Sequence, residues 1–281
     1  MMEQLKAVVE LARPRNTVIS FFGVLTGALL VSTSVDAAII LAAASAMLVL
    51  AGGNAINDYY DLDADRINRP KRPIPSGRIT RKGALVVSTA LFLAGIILGW
   101  FININCLLLA AANTIILVVY ARHSKKALLT SNLMVSYLTA SVFIYGALAV
   151  QPTENYNPLG AGLLGVLTAS SFMMTLSREI IKDIEDVEGD RRMKAETLPI
   201  VMGETKALGT AATAGAAAMA ISIMPFIMTA EAFNKAAYAL FIIIANLIFI
   251  SAYFQKPEKS QKLLVAGMAI SLLAFLAGRL A

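Results

Sequence analysis

Residues 36–65 read DAAIILAAASAMLVLAGGNAINDYYDLDAD. The first two thirds form an apolar run, and about 20 such residues are enough to cross the hydrocarbon core of a bilayer as a helix. The last third turns acidic within one helical turn, with Asp58, Asp61, Asp63 and Asp65 following Asn57. The stretch therefore predicts a membrane-spanning helix whose end carries carboxylates to the water interface. Eight further apolar runs have a similar length. Together the predicted spans cover roughly 16–33, 36–57, 83–101, 104–121, 131–150, 158–178, 206–229, 236–254 and 262–279.

Composition supports this reading. Of 281 residues, 58% are hydrophobic and 15% charged, whereas soluble domains run nearer 45–50% apolar and about 25% charged. A soluble globular enzyme, a disordered chain and a fibre are all excluded on this ground. The single Cys106 rules out an intramolecular disulfide and a cysteine cluster, and the single His123 rules out a histidine-rich metal site. Any metal must be held by carboxylates. Lys6, Arg13 and Arg15 precede the first run, which lacks a small-residue cleavage site, so it is expected to stay as a span. Every Lys and Arg except Lys235 and Arg279 lies in the N-terminal segment or at the even-to-odd loops and their helix ends. By the positive-inside rule the N-terminus and those loops face the cytoplasm of a cell membrane crossed nine times. The net charge of +6 is then a matter of topology, and no nucleic acid is implied.

The acidic motif occurs twice. Residues 182–190 read KDIEDVEGD, and Asp183, Asp186 and Asp190 each lie 125 residues after Asp58, Asp61 and Asp65. Both copies spell D-x-x-D-x-x-x-D, and both run into a basic, Pro-containing stretch. Four spans separate them, so both copies face the same side: an internal repeat in parallel orientation. At about 100° per residue, Asp58, Asp61 and Asp65 fall within roughly 60° on one helix face. Asn54 joins that stripe and Asp63 points away. In the second copy Glu179, Asp183, Asp186 and Asp190 share a face, while Glu185 and Glu188 do not. A lone acidic run is most often a solvated surface. A repeated, face-aligned one followed by Arg and Lys reads instead as a site for a metal-bound diphosphate. Hard oxygen ligands suit Mg²⁺, which takes one or two carboxylates together with waters and phosphate oxygens.

An apolar bundle beneath such a site suits a substrate with a charged head and a long hydrocarbon tail, a polyprenyl diphosphate. Breaking its C–O bond gives an allylic cation and diphosphate. Metal and basic side chains stabilise the departing charge, and the apolar surroundings keep water away.

On these residues the chain resembles the UbiA-type intramembrane prenyltransferase superfamily. The resemblance implies an all-α polytopic membrane bundle of nine transmembrane helices, two four-helix pseudo-repeats plus one helix. Residues 1–281 then form a single integral-membrane domain with cytoplasmic active-site loops at about 58–82 and 182–205. Three stretches are most similar to the archaeal branch that forms the second ether bond of membrane lipids: Arg13-Pro14-Arg15-Asn16, the segment from Asp65-Arg66 through Arg72-Pro73-Ile74-Pro75 to Ile79, and Arg178 to Asp186. The implied reaction moves a geranylgeranyl group from geranylgeranyl diphosphate to the sn-2 hydroxyl of geranylgeranylglyceryl phosphate. The resemblance places Mg²⁺ on Asn57, Asp61, Asp65, Asp186 and Asp190, with Asp58 and Asp183 supporting. It places the substrate on Arg72, Tyr120, Lys125, Lys126, Lys182, Lys194 and Arg66. The segment Tyr120 to Lys126 departs from the commoner Tyr-Pro form, which leaves both Lys125 and Lys126 as the lysine. An acceptor phosphate needs a further cation, for which Arg13, Arg15, Arg66 and Arg69 are candidates. The implied partners are the two lipid-like substrates and the bilayer, with no obligate protein partner.

Two other readings compete. An aromatic acceptor, as in quinone or tetrapyrrole-tail synthesis, would use the same donor chemistry. A transporter fits poorly, because its sites lie near the midplane and the spans here carry almost no ionisable residues.

Overall fold

In a computed structural model the described residues are 2–123, 128–150, 158–192, 195–228 and 233–280. They are helical, with no β-strand among them. The helices are α1 (Met2–Ala12), α2 (Pro14–Val31), α3 (Ala37–Tyr60), α4 (Leu62–Asn68), α5 (Arg81–Ile102), α6 (Ile104–His123) and α7 (Thr130–Ala149). They continue with α8 (Pro158–Glu185), α9 (Val187–Arg192), α10 (Leu198–Met202), α11 (Glu204–Ile221), α12 (Pro225–Met228), α13 (Lys235–Ala252) and α14 (Pro257–Leu280).

Among the described residues eight spans are long and apolar enough to cross a membrane: α3, α5, α6, α7, α8, α11 with α12, α13 and α14. The pair α1–α2, bent by 47°, makes a ninth when counted as one. This matches the nine apolar runs, with one systematic difference. Helices α3 and α8 continue past their apolar runs, to Tyr60 and Glu185, so the first carboxylate of each motif sits on the spanning helix itself. The outward face is apolar, as a bilayer requires: Leu93, Ile97, Trp100 and Phe101 on α5 and Leu240, Ile243 and Leu247 on α13 are all exposed.

The internal repeat is visible in the packing. Helix α3 packs on α2 and α5 as α8 packs on α7 and α11, and α14 closes the bundle against α13, α8 and α2. The halves meet where α2 crosses α7. A Cβ on Gly27 would lie 2.0 Å from the Phe143 carbonyl oxygen, and one on Gly146 would lie 1.9 Å from that of Val24. Only glycine permits this backbone approach, the usual small-residue device of membrane helices. The Gly/Ala-rich stretch of α11 acts alike, burying Ala207, Ala211, Ala214 and Ala218.

The core falls into two main clusters, each reaching across the α2–α7 seam. Val24, Ile39, Ile56, Phe92, Cys106 and Tyr145 belong to the first. Leu163, Ile180, Ile181, Phe249, Leu264 and Phe275 belong to the second. A small third cluster of Leu11, Ala55, Leu62, Ile74 and Ala84 ties α1 to the segment after the first motif. The segments 58–82 and 182–205, expected as loops, hold the short helices α4, α9 and α10.

Candidate active site

The two motifs bend the chain at the same place. Helix α3 stops at Tyr60, Asp61 is the break, and α4 restarts at Leu62; helix α8 stops at Glu185, Asp186 is the break, and α9 restarts at Val187. The backbone stays nearly helical through both breaks, with Asp65 N–H donating to the Asp61 carbonyl (2.8 Å) and Asp190 N–H to that of Asp186 (3.0 Å). The three aspartates of each motif are therefore not on one uninterrupted helix. Aspartate competes with the backbone in helix interiors, so a break at the central one has a local cause.

In the first motif the cations on Asp58 and Asp65 are guanidinium groups. Asp58, only 3% exposed, accepts from Arg13 and, at 3.1 Å, from Nη1 of Arg72. The same Nη1 donates to Asp65 at 2.6 Å, so Arg72 bridges the first and third aspartates. The repulsion expected along this stripe is thus relieved within the protein itself. The Nε–Nη2 edge of Arg72 makes no hydrogen bond to the described residues. Asn57 donates from Nδ2 to Asp61 Oδ2 at 2.9 Å. Asn54 turns to the α1–α2 junction and donates to the Ala12 carbonyl at 3.0 Å. Arg81 lies over the Tyr59 ring, 4.4 Å from its centroid, and donates to the Tyr59 carbonyl, which fixes the end of α3 against α5.

The second motif is held differently. Asp183 accepts from Asn132 Nδ2 on α7 at 2.7 Å. One turn earlier, buried Glu179 takes Arg178 on one oxygen and Lys182 on the other, at 2.5 Å and 3.4 Å. Asp186 is exposed and Asp190 half-buried. Off-face Glu185 accepts from Gln261 of α14.

Tyr120, near the end of α6, brings the halves together. Lys182, Glu179, Asp61 and Asp183 all lie near enough to act on it electrostatically, so it stands close to both acidic helix ends. Arg66 pairs with off-face Asp63 at 3.2 Å, and both are well exposed. Lys125, Lys126 and Lys194 lie outside the described residues. Among the described residues no three Asp, Glu, His or Cys side chains converge to enclose a metal ion.

Deeper in the spans, an apolar cavity of about 430 Å³ lies between α7 and α8, lined among others by Tyr137, Leu164, Gly165, Phe172 and Met173. Its near end is about 15 Å along α8 from Asp183, at 1.5 Å per residue. Of the three aromatic residues of α7, Tyr137 faces this cavity while Phe143 and Tyr145 are core; the Tyr145 hydroxyl pairs with Ser45 at 2.7 Å. Asn113 bonds Ser141 across helices at 3.0 Å.

Sequence reading alone did not give the partners of the first aspartates. Arg13 and Asp58 are 45 residues apart, and Asn132 and Asp183 are 51 apart. The one available signal was the position of Arg13 and Asn132, each at the start of the span preceding its motif.

Comparison with known proteins agrees with this architecture. The family model described as "UbiA prenyltransferase family" matches residues 20–275. A curated digeranylgeranylglyceryl phosphate synthase from Methanopyrus kandleri is 38% identical over 280 residues, covering 98% of this chain and all of that one. A solved structure of a digeranylgeranylglyceryl phosphate synthase superposes with a TM-score of 0.82 at 34% identity, covering 99% of each chain. A UbiA homolog from Archaeoglobus fulgidus, solved with DMAPP and Mg²⁺, superposes at 0.70 with 18% identity, covering 94% of this chain and 98% of that one.

Proposed function

The chain belongs to the UbiA prenyltransferase family, and from that premise we propose that it transfers the geranylgeranyl group of geranylgeranyl diphosphate to the sn-2 hydroxyl of geranylgeranylglyceryl phosphate at the cytoplasmic face of the membrane. The observation that carries this reading is the pair of broken helix ends, Asp61 and Asp186, with Tyr120 close to both motifs. The full-length similarity to digeranylgeranylglyceryl phosphate synthases supports this choice of acceptor.

The donor set fits a divalent cation. All the ligands are hard oxygens, and no three protein carboxylates form a cage among the described residues. That suits Mg²⁺, which typically keeps waters and shares phosphate oxygens with its substrate. Asn57, Asp61, Asp65, Asp186 and Asp190 would hold it, with Asp58 and Asp183 supporting. When bound it neutralises the charge of the departing diphosphate.

The chain's own groups do the rest. Arg72, whose Nη1 orders Asp58 and Asp65 before the substrate arrives, is the guanidinium offered to the phosphate oxygens. Lys182, on the second motif, adds positive charge beside Tyr120. The bond from C1 to the diphosphate oxygen breaks, and the electron pair leaves with the diphosphate. The sn-2 oxygen then bonds to C1, and its proton passes to the diphosphate or to an aspartate of the motifs. Apolar helix faces below exclude water from the cation.

The test is a product assay on the purified protein in detergent, with geranylgeranyl diphosphate, Mg²⁺ and a mixture of geranylgeranylglyceryl phosphate and aromatic acids. A diether phosphate in the mass spectrum is the expected result. A prenylated aromatic acid in its place would overturn the acceptor assignment.

A further inference from the structure

We propose that α1 is a strap over the first acidic motif and that Arg13 is a positioning residue for the transfer, holding Asp58 so that Arg72 can be released to the diphosphate. This rests on the functional reading above and extends it to residues outside both motifs.

Three contacts tie the end of α1 to the motif. Glu10 is gripped by Arg78 at 2.6 and 3.1 Å. The Ala12 carbonyl accepts from Asn54 at 3.0 Å, and Arg13 donates to Asp58. Asn54 and Asp58 are one turn apart on α3, so one helix face takes hold of the whole α1–α2 junction. Beneath these contacts Leu11 is fully buried, in the cluster with Ala55, Leu62, Ile74 and Ala84. Ile74 follows Arg72 by two residues. The packing of α1 thereby fixes the segment that presents Arg72.

The backbone at Arg13 points the same way. Its φ of 51° and ψ of 70° are left-handed, and it is the one non-glycine residue with positive φ among the described residues. L side chains avoid this region, and such a conformation persists where surrounding contacts over-determine it. Pro14 then opens α2 at its first turn, where proline is favoured. The outcome is a guanidinium delivered to a buried carboxylate.

The charge logic explains why two guanidiniums meet one aspartate. A buried carboxylate left unpaired is strongly unfavourable. With Arg13 in place, Asp58 keeps a counter-ion when the diphosphate draws Arg72 away. Without Arg13, Arg72 is the sole partner of Asp58 and is held back from the substrate.

The experiment is steady-state kinetics on the full-length protein with both lipid substrates, for wild type, Arg13→Ala, Arg13→Lys, Asp58→Asn and Arg13→Ala/Asp58→Asn, alongside thermal midpoints. Arg13→Ala is expected to raise the donor KM by about 10- to 100-fold, the usual range for groups that orient ligands, with the acceptor KM little changed. Arg13→Lys should recover part of the loss. The double variant should outperform Arg13→Ala, because the charge that Arg13 serves is gone. An unchanged donor KM, a rise confined to the acceptor KM, or no rescue in the double variant would each overturn the proposal. A wild type inactive with these substrates overturns the functional reading alone. The strap is then read by hydrogen exchange of residues 3–12, where unchanged protection in Arg13→Ala overturns it.

Discussion

The two acidic helix ends share a sequence pattern and a backbone break, yet they are neutralised one turn out of register. At the first, the charged partners sit on the motif itself: Asp58 takes Arg13 and Arg72, and the position one turn earlier is neutral Asn54. At the second, the charged partners sit one turn earlier, on Glu179, and the motif's own Asp183 takes the neutral amide of Asn132. A repeat preserves the fold and the break while its counter-ions diverge. Among the described residues, Arg72 thus holds two aspartates of the first motif at once.

The largest expected effect comes from the central aspartates, where the halves are alike. Asp61→Asn and Asp186→Asn should each lower turnover by at least about 100-fold, the scale of losing a group aimed at developing charge, with membrane insertion unchanged. Near-normal turnover in either would separate that half from the site. Arg72→Ala comes next, because the second half has no such bridge among the described residues. A loss of about 10- to 100-fold with a raised donor KM is expected in titrations of geranylgeranyl diphosphate. Asn132→Ala leaves half-buried Asp183 without its amide donor, at a cost of about 1 kcal/mol for a lost hydrogen bond. It should show as a lower thermal midpoint, and an unchanged midpoint would show that the amide is not what holds Asp183. The smallest effects belong to the off-face acids. Asp63→Ala and Glu188→Ala should stay within about 0.5 kcal/mol of wild type in stability, as exposed charges do, with turnover unaltered.

Much of this was legible in the sequence because bilayers impose it. Apolar runs of fixed length and a basic side mark the spans without reference to tertiary contacts, and the constant spacing of the two motifs reveals the repeat. The helix-face argument set Asp63, Glu185 and Glu188 apart from the stripes, and in the structure Asp63 pairs with Arg66 and Glu185 with Gln261. The breaks at Asp61 and Asp186 were not legible, since the acidic pattern continues smoothly through them. Neither was the identity of the cation on the first stripe. Arg13 reads as a topological charge or an acceptor contact until the fold brings it to Asp58. Glu10 and Arg78, 68 residues apart, give no local signal at all.

The most direct test of the view that two motifs build one site is calorimetric titration of an unreactive geranylgeranyl thiodiphosphate analogue into the protein, with and without Mg²⁺. Wild type should bind one equivalent in a Mg²⁺-dependent manner, and Asp61→Asn and Asp186→Asn should each lose that binding almost entirely. Full Mg²⁺-dependent binding in either single variant would contradict a shared site.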